Sequence, residues 1–92
     1  MKSFEELEVW KESTKLRRMV AKICKSLPEY ENYLLKNQMI RASRSVTNNI
    51  AEGYGRYHYQ ENIQACRISR GSLHELLDDI LIAKDEEYVN NH

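Results

Sequence analysis

The chain has 92 residues, with 14 Lys/Arg balancing 14 Asp/Glu, 41% hydrophobic residues and a mean hydropathy of −0.72. That is room for one domain (residues 1–92) with a thin core, a size at which association commonly adds stability. The longest unbroken apolar run is Ile80–Ala83, so no membrane span is expected; no secretion signal opens the chain, and Cys24 and Cys66 lack a CxxC partner, the pattern of reduced core cysteines in a cytoplasmic protein.

One Pro and three Gly leave few breaks, and the apolar spacing is helical throughout. Ser3 and Glu6 form an S-x-x-E start signal, although Phe4 and Leu7 also fit a short turn ahead of the helix. The first helix is expected over about 5–27. Val9, Ser13, Leu16, Val20, Ile23, Cys24 and Leu27 fall on one face, with Trp10 on its flank, and Pro28 closes the helix. The second helix is expected over about 33–52, with Asn32 as its cap and Met39, Ile40, Ser43, Val46, Thr47 and Ile50 facing inward. Gly53 fits a left-handed exit from that helix, and Gly55 a second sharp bend. The third helix is expected over about 59–84, with Cys66, Ser69, Leu73, Leu76, Leu77 and Ile80 inward, Ala65 and Ser72 bordering them, and Ile68 and Ile82 on the opposite side. No strand pattern occurs, so the fold class is all-α.

Charge is unevenly placed. Residues 1–28 carry a net +3, 29–35 a net −2, 36–70 a net +4 and 71–92 a net −5. A basic body with an acidic end fits a polyanion partner, or subunits joined by complementary charge. In the first helix Lys11, Lys15, Arg18, Lys22 and Lys25 recur at spacings of 4, 3, 4 and 3, a stripe ~21 Å long at ~1.5 Å per residue. Like charges so placed repel, and a phosphate backbone would relieve that cost; a solvated face is the alternative. Arg41, Arg44 and Arg56 extend the same basic surface. Tyr54, Tyr57, His58 and Tyr59 beside Arg56 could stack on unpaired bases, or pack at a helix junction with wet hydroxyls.

Four stretches, FEELEVW (4–10), NNIAEGYGR (48–56), SRGSLHEL (69–76) and ILIAKDEEYV (80–89), taken in order, resemble the four-helix-bundle proteins encoded in 23S ribosomal RNA intervening sequences. The accessory protein of diversity-generating retroelements is similar to the same group. The resemblance implies an up-down antiparallel bundle, assembly into a homopentamer, and nucleic-acid binding. Three departures stand out: Thr47 where many members have proline, His58 where members often have Ser, and three expected helices where the family has four. The fourth helix is either missing from a shortened chain or supplied by a neighbour. Arg41, Ser45, Asn48 and Glu52 form a polar line opposite Ile50. Because the family's N-I-A-E-G positions recur with the RGS turn of the third helix, Asn49, Glu52, Arg70 and Ser72 are expected to form a polar network that fixes helix packing or subunit register, the alternative being a solvent-facing surface.

Catalysis has little to rest on. His58, His74 and His92 lack a carboxylate three positions earlier, as the Glu-x-x-His of di-iron bundles requires, and Cys24 and Cys66 fall in apolar stripes where a thiol is inert. No enzyme activity, metal or other cofactor is expected. Two functions remain: an oligomeric module that binds RNA or DNA, or a protein-interaction scaffold for a reverse transcriptase or ribosomal partner.

Overall fold

The computed structural model describes residues 3–55 and 59–89. It is all-helical among these residues, with α1 at Glu8–Lys25, α2 at Leu35–Tyr54 and α3 at Tyr59–Asp85. A 3-10 turn over Phe4–Glu6 precedes α1, so the helix starts three residues later than expected from Glu5. The Ser3 hydroxyl accepts the Glu5 N–H at 3.2 Å instead of forming the box with Glu6, and Phe4 packs edge-on against Trp10 at 5.4 Å. At the other end of α1 the Ser26 hydroxyl donates to the Ile23 carbonyl at 2.7 Å, and Pro28, which lacks an N–H, turns the chain away.

The start of α2 also differs from expectation. Asn32 ends a second 3-10 turn in helical conformation, and the Glu31 carboxylate accepts the Leu35 N–H at 3.4 Å in its place. Gly53 is a second correction. It lies inside α2 with no positive φ, and a Cβ there would sit 3.1 Å from the Ala65 Cβ. Its smallness serves close approach of two helices, and α2 runs on to Tyr54. Gly55 is not a sharp bend either: at φ −79 its N–H completes the last turn of α2. The left-handed exit belongs to α3, where Glu87 takes φ 62. There the Tyr88 N–H donates to the Ala83 carbonyl at 2.8 Å and the Glu87 N–H to that of Lys84 at 3.0 Å, a Schellman ending without glycine.

α2 lies between its neighbours. α2 and α3 run antiparallel, as the bonds from Ser69 to the Val46 carbonyl (3.2 Å) and from Asn62 to the Gly53 carbonyl (3.0 Å) require. α1 packs on a different face of α2, and no Cα of α1 comes within 8 Å of one in α3. The core comprises Val20, Cys24 and Leu27 of α1 and its exit, Leu35, Met39 and Ala42 of α2, and Leu76 and Ala83 of α3. Tyr88 and Val89 fold back onto it. The Tyr88 hydroxyl meets Tyr30 at 2.7 Å and donates to Glu31 at 2.9 Å, which, with burial, holds its proton well above the ordinary phenol range.

The inner line of α3 is shifted from the expected stripe. Ala65, Ser69, Leu76, Asp79 and Ala83 are buried, whereas Cys66, Leu73 and Leu77 are exposed. Helix α3 meets α2 along its small-residue edge, so Cys66 and Leu73 turn toward the space between α1 and α3. Cys66 is therefore not a core residue; Cys24 is. No described helix is long and apolar enough to cross a membrane.

Candidate nucleic-acid interface

Two lines of residues face each other across the outer seam of α1 and α2. Arg17, Ala21 and Lys25 recur every fourth residue on α1, and Lys36, Ile40 and Arg44 do so on α2. With Arg18, Val20, Cys24 and Ser43 they line a groove of about 420 Å³. Its floor is apolar, its rim carries five cationic side chains, and no carboxylate lines it. Burial pushes the Cys24 thiol up, and the charge of Lys36 only partly opposes this, so the thiol stays protonated and contributes floor rather than nucleophile.

The stripe on α1 divides in two. Lys11 pairs with Glu8 at 3.4 Å and Lys15 with Glu12 at 3.2 Å. Arg18 and Lys25 belong to the groove, while Lys22 is exposed beside it. The first half of the stripe is thus neutralised by its own helix, and the second half joins cations from α2. Arg41 lies in a different groove, and Arg56 lies outside the described residues, as do Tyr57 and His58.

That other groove, about 500 Å³, runs along the seam of α2 and α3. Its inner row is tied together: Ser72 donates to the Ser45 hydroxyl at 2.9 Å, and the Asn49 amide donates to that hydroxyl at 3.1 Å and to the Ser45 carbonyl at 2.8 Å. Its outer row, Gln38, Arg41, Arg44, Asn48, Glu52 and Glu75, is exposed. Of the expected network, Asn49 and Ser72 are brought together through Ser45. Glu52 shares their groove but is exposed, and Arg70 lies on the other flank of α3.

The model of the family described as 23S rRNA-intervening sequence protein matches residues 5–92. The chain belongs to that family. The match spans α1, α2, α3 and both grooves. No curated protein matches the chain.

A third groove, about 410 Å³ and largely apolar, opens between α1 and α3 over α2. Leu7, Val9, Ile50, Tyr54, Cys66 and Leu73 are among its walls, with Arg70 at its edge. Sequence reasoning missed Arg17 and Lys36. The signal was available as the i, i+4, i+8 lines Arg17–Ala21–Lys25 and Lys36–Ile40–Arg44, but only the packing shows that they face one another.

Proposed function

We propose that this family member is a non-catalytic nucleic-acid-binding protein that holds phosphate backbone in the groove between α1 and α2. One observation carries the reading: Arg17, Arg18, Lys25, Lys36 and Arg44 converge on one groove with no carboxylate in its lining. Five like charges held close are costly in water, and a phosphate chain removes that cost while releasing counterions. The groove is assembled from two helices, so the backbone positions that carry the charge are set before a ligand arrives.

Fluorescence anisotropy with RNA and DNA of equal length, at several salt concentrations, tests it. Replacing Arg17, Lys36 and Arg44 by Gln should weaken binding to every sequence alike and lower the slope of log K against log salt by up to about 0.7–0.9 per lost contact. Replacing Lys11 and Lys15 by Gln should change the slope much less, because those ammonium groups already face Glu8 and Glu12. A parent protein with no salt-dependent binding to either polymer would end this reading in favour of a scaffold for a reverse transcriptase or ribosomal partner.

The apolar groove favours a second property, self-association. Val9 and Leu73, which line it, are 57% and 40% exposed, and Leu77 and Leu81 elsewhere on α3 are 54% and 52% exposed, apolar surface of the kind that marks interaction sites. We propose a homo-oligomer on this basis, with the pentamer suggested by the sequence resemblance as first choice. Light scattering that returned 10.9 kDa, the mass of one chain, would refute it.

A further inference from the structure

The two polar grooves share one residue. Arg44 lines both the cationic groove of α1 and α2 and the groove of α2 and α3. Between them runs the outer face of α2, where Gln38, Arg41, Ser45, Asn48 and Glu52 recur at spacings of 3, 4, 3 and 4. The grooves differ in charge. The first carries cations only; in the second Arg41 and Arg44 are balanced by Glu52 and Glu75. A phosphate gains little from a formally neutral groove. Amides, guanidinium groups and carboxylates in a row instead offer the paired donors and acceptors that match base edges.

We infer that the outer face of α2 reads the edges of unpaired bases in a single strand whose phosphates lie in the cationic groove. The inference rests on the phosphate-binding reading and names its ligand class. The charge asymmetry selects one strand over two. In a duplex major groove, about 12 Å wide, a helix meets a phosphate backbone on each side. Here one side of α2 is cationic, but on the other stands α3 with Glu75, exposed and in the same groove as Glu52, so a second backbone would meet carboxylates. A single strand needs only the cationic side and leaves its bases free to turn toward α2. The row that would meet the bases is not needed for packing: Gln38, Arg41 and Asn48 are exposed, whereas Asn49 and Ser72 behind them are held by Ser45.

The test uses anisotropy with adenine, cytosine and uracil homopolymer strands of one length, and a duplex of that length, at two salt concentrations. The parent protein should bind at least one single strand about fivefold or more tightly than the duplex, and should rank the homopolymers. The double variant Gln38→Ala, Asn48→Ala should bring the homopolymer affinities to within about twofold of each other with an unchanged salt slope, since no phosphate contact is lost. Glu75→Gln should raise duplex affinity more than single-strand affinity. Circular dichroism confirms that each variant is folded. Salt-dependent binding that is equal for duplex and single strand, or a homopolymer ranking untouched in the double variant, overturns this inference and leaves phosphate binding standing. Absence of binding to any polymer overturns both.

Discussion

The two seams of α2 are built on opposite plans. Against α3 it presents small residues and hydroxyls: Gly53 beside Ala65, Ser69 bonded to the Val46 carbonyl, and Ser72 bonded to Ser45. Against α1 three hydroxyls are spent within their own helices, Ser13 on the Val9 carbonyl at 2.7 Å, Ser43 on Ile40 at 3.1 Å and Thr47 on Arg44 at 3.2 Å, and the buried Thr14 hydroxyl has no partner among the described residues. That seam is held by Val20, Cys24, Met39 and their neighbours, and its outer edge is left to long cationic side chains. The close seam with α3 is thus knit by small residues and hydroxyls, and the charges on its outer edge balance, Arg41 and Arg44 against Glu52 and Glu75; the open seam with α1 carries cations alone.

The largest test of this contrast is a pair of substitutions. Gly53→Leu must push the backbones apart at the close seam, and overpacking of this kind should cost about 2–3 kcal/mol in denaturant unfolding. Ala21→Leu, on the exposed edge of the open seam, should change stability by less than about 0.5 kcal/mol. Equal effects would erase the distinction.

Asp79 tests the close seam by pH. The residue is 3% exposed on the inner line of α3, and its Oδ2 has no partner among the described residues. Burial, then Glu75 and Asp78, push its carboxyl up from 3.8 to about 6. A carboxyl raised on folding contributes stability that is fully present below about 4 and lost as pH rises through about 6. Asp79→Asn should flatten that part of the stability curve and stabilise the protein at pH 7 by about 1–2 kcal/mol. A curve of unchanged shape would show that the carboxyl is solvated.

Within the polar groove, Asn49→Ala should cost about 1 kcal/mol, because a half-buried amide and its Ser45 partners are lost. Glu52→Ala, at an exposed position, should stay within about 0.5 kcal/mol. Thermal melts of both variants sharpen the line between the inner and outer rows. A small effect of opposite sign is expected at the turn that follows α3. Glu87→Gly relieves a left-handed backbone and should raise stability by about 0.5 kcal/mol, read as a small upward shift in Tm.

Periodicity made the helices legible, and α3 begins and ends within a residue of expectation. The errors fell where two local signals carried equal weight. A glycine near a helix end reads the same whether it breaks the helix or lets another approach, and only Ala65, twelve residues away, decides for Gly53. Apolar periodicity puts Leu73 and Leu77 on the inner stripe, but the buried face of α3 runs through Ala65 and Ser69, whose small size gives a weaker hydropathy signal. The site was half legible. Charge spacing on the first helix marks Arg18 and Lys25, and Arg44 reads as an extension of the same basic surface, whereas the carboxylates that face Lys11 and Lys15 are seen only in the structure.

By itself the sequence determined the all-helical class, the approximate helix lengths, the turn at Pro28, the excess of cations before residue 70 and the family. These depend on neighbours within a few residues, where spacing and composition act directly. Tertiary structure decided which side of each helix is buried, that α1 and α3 both rest on α2 without touching through their backbones, and that Arg17 and Lys36 belong to one groove. The physical reason is that a groove is a relation between helices: each presents several faces with similar apolar content, and close approach at one pair of small residues selects among them.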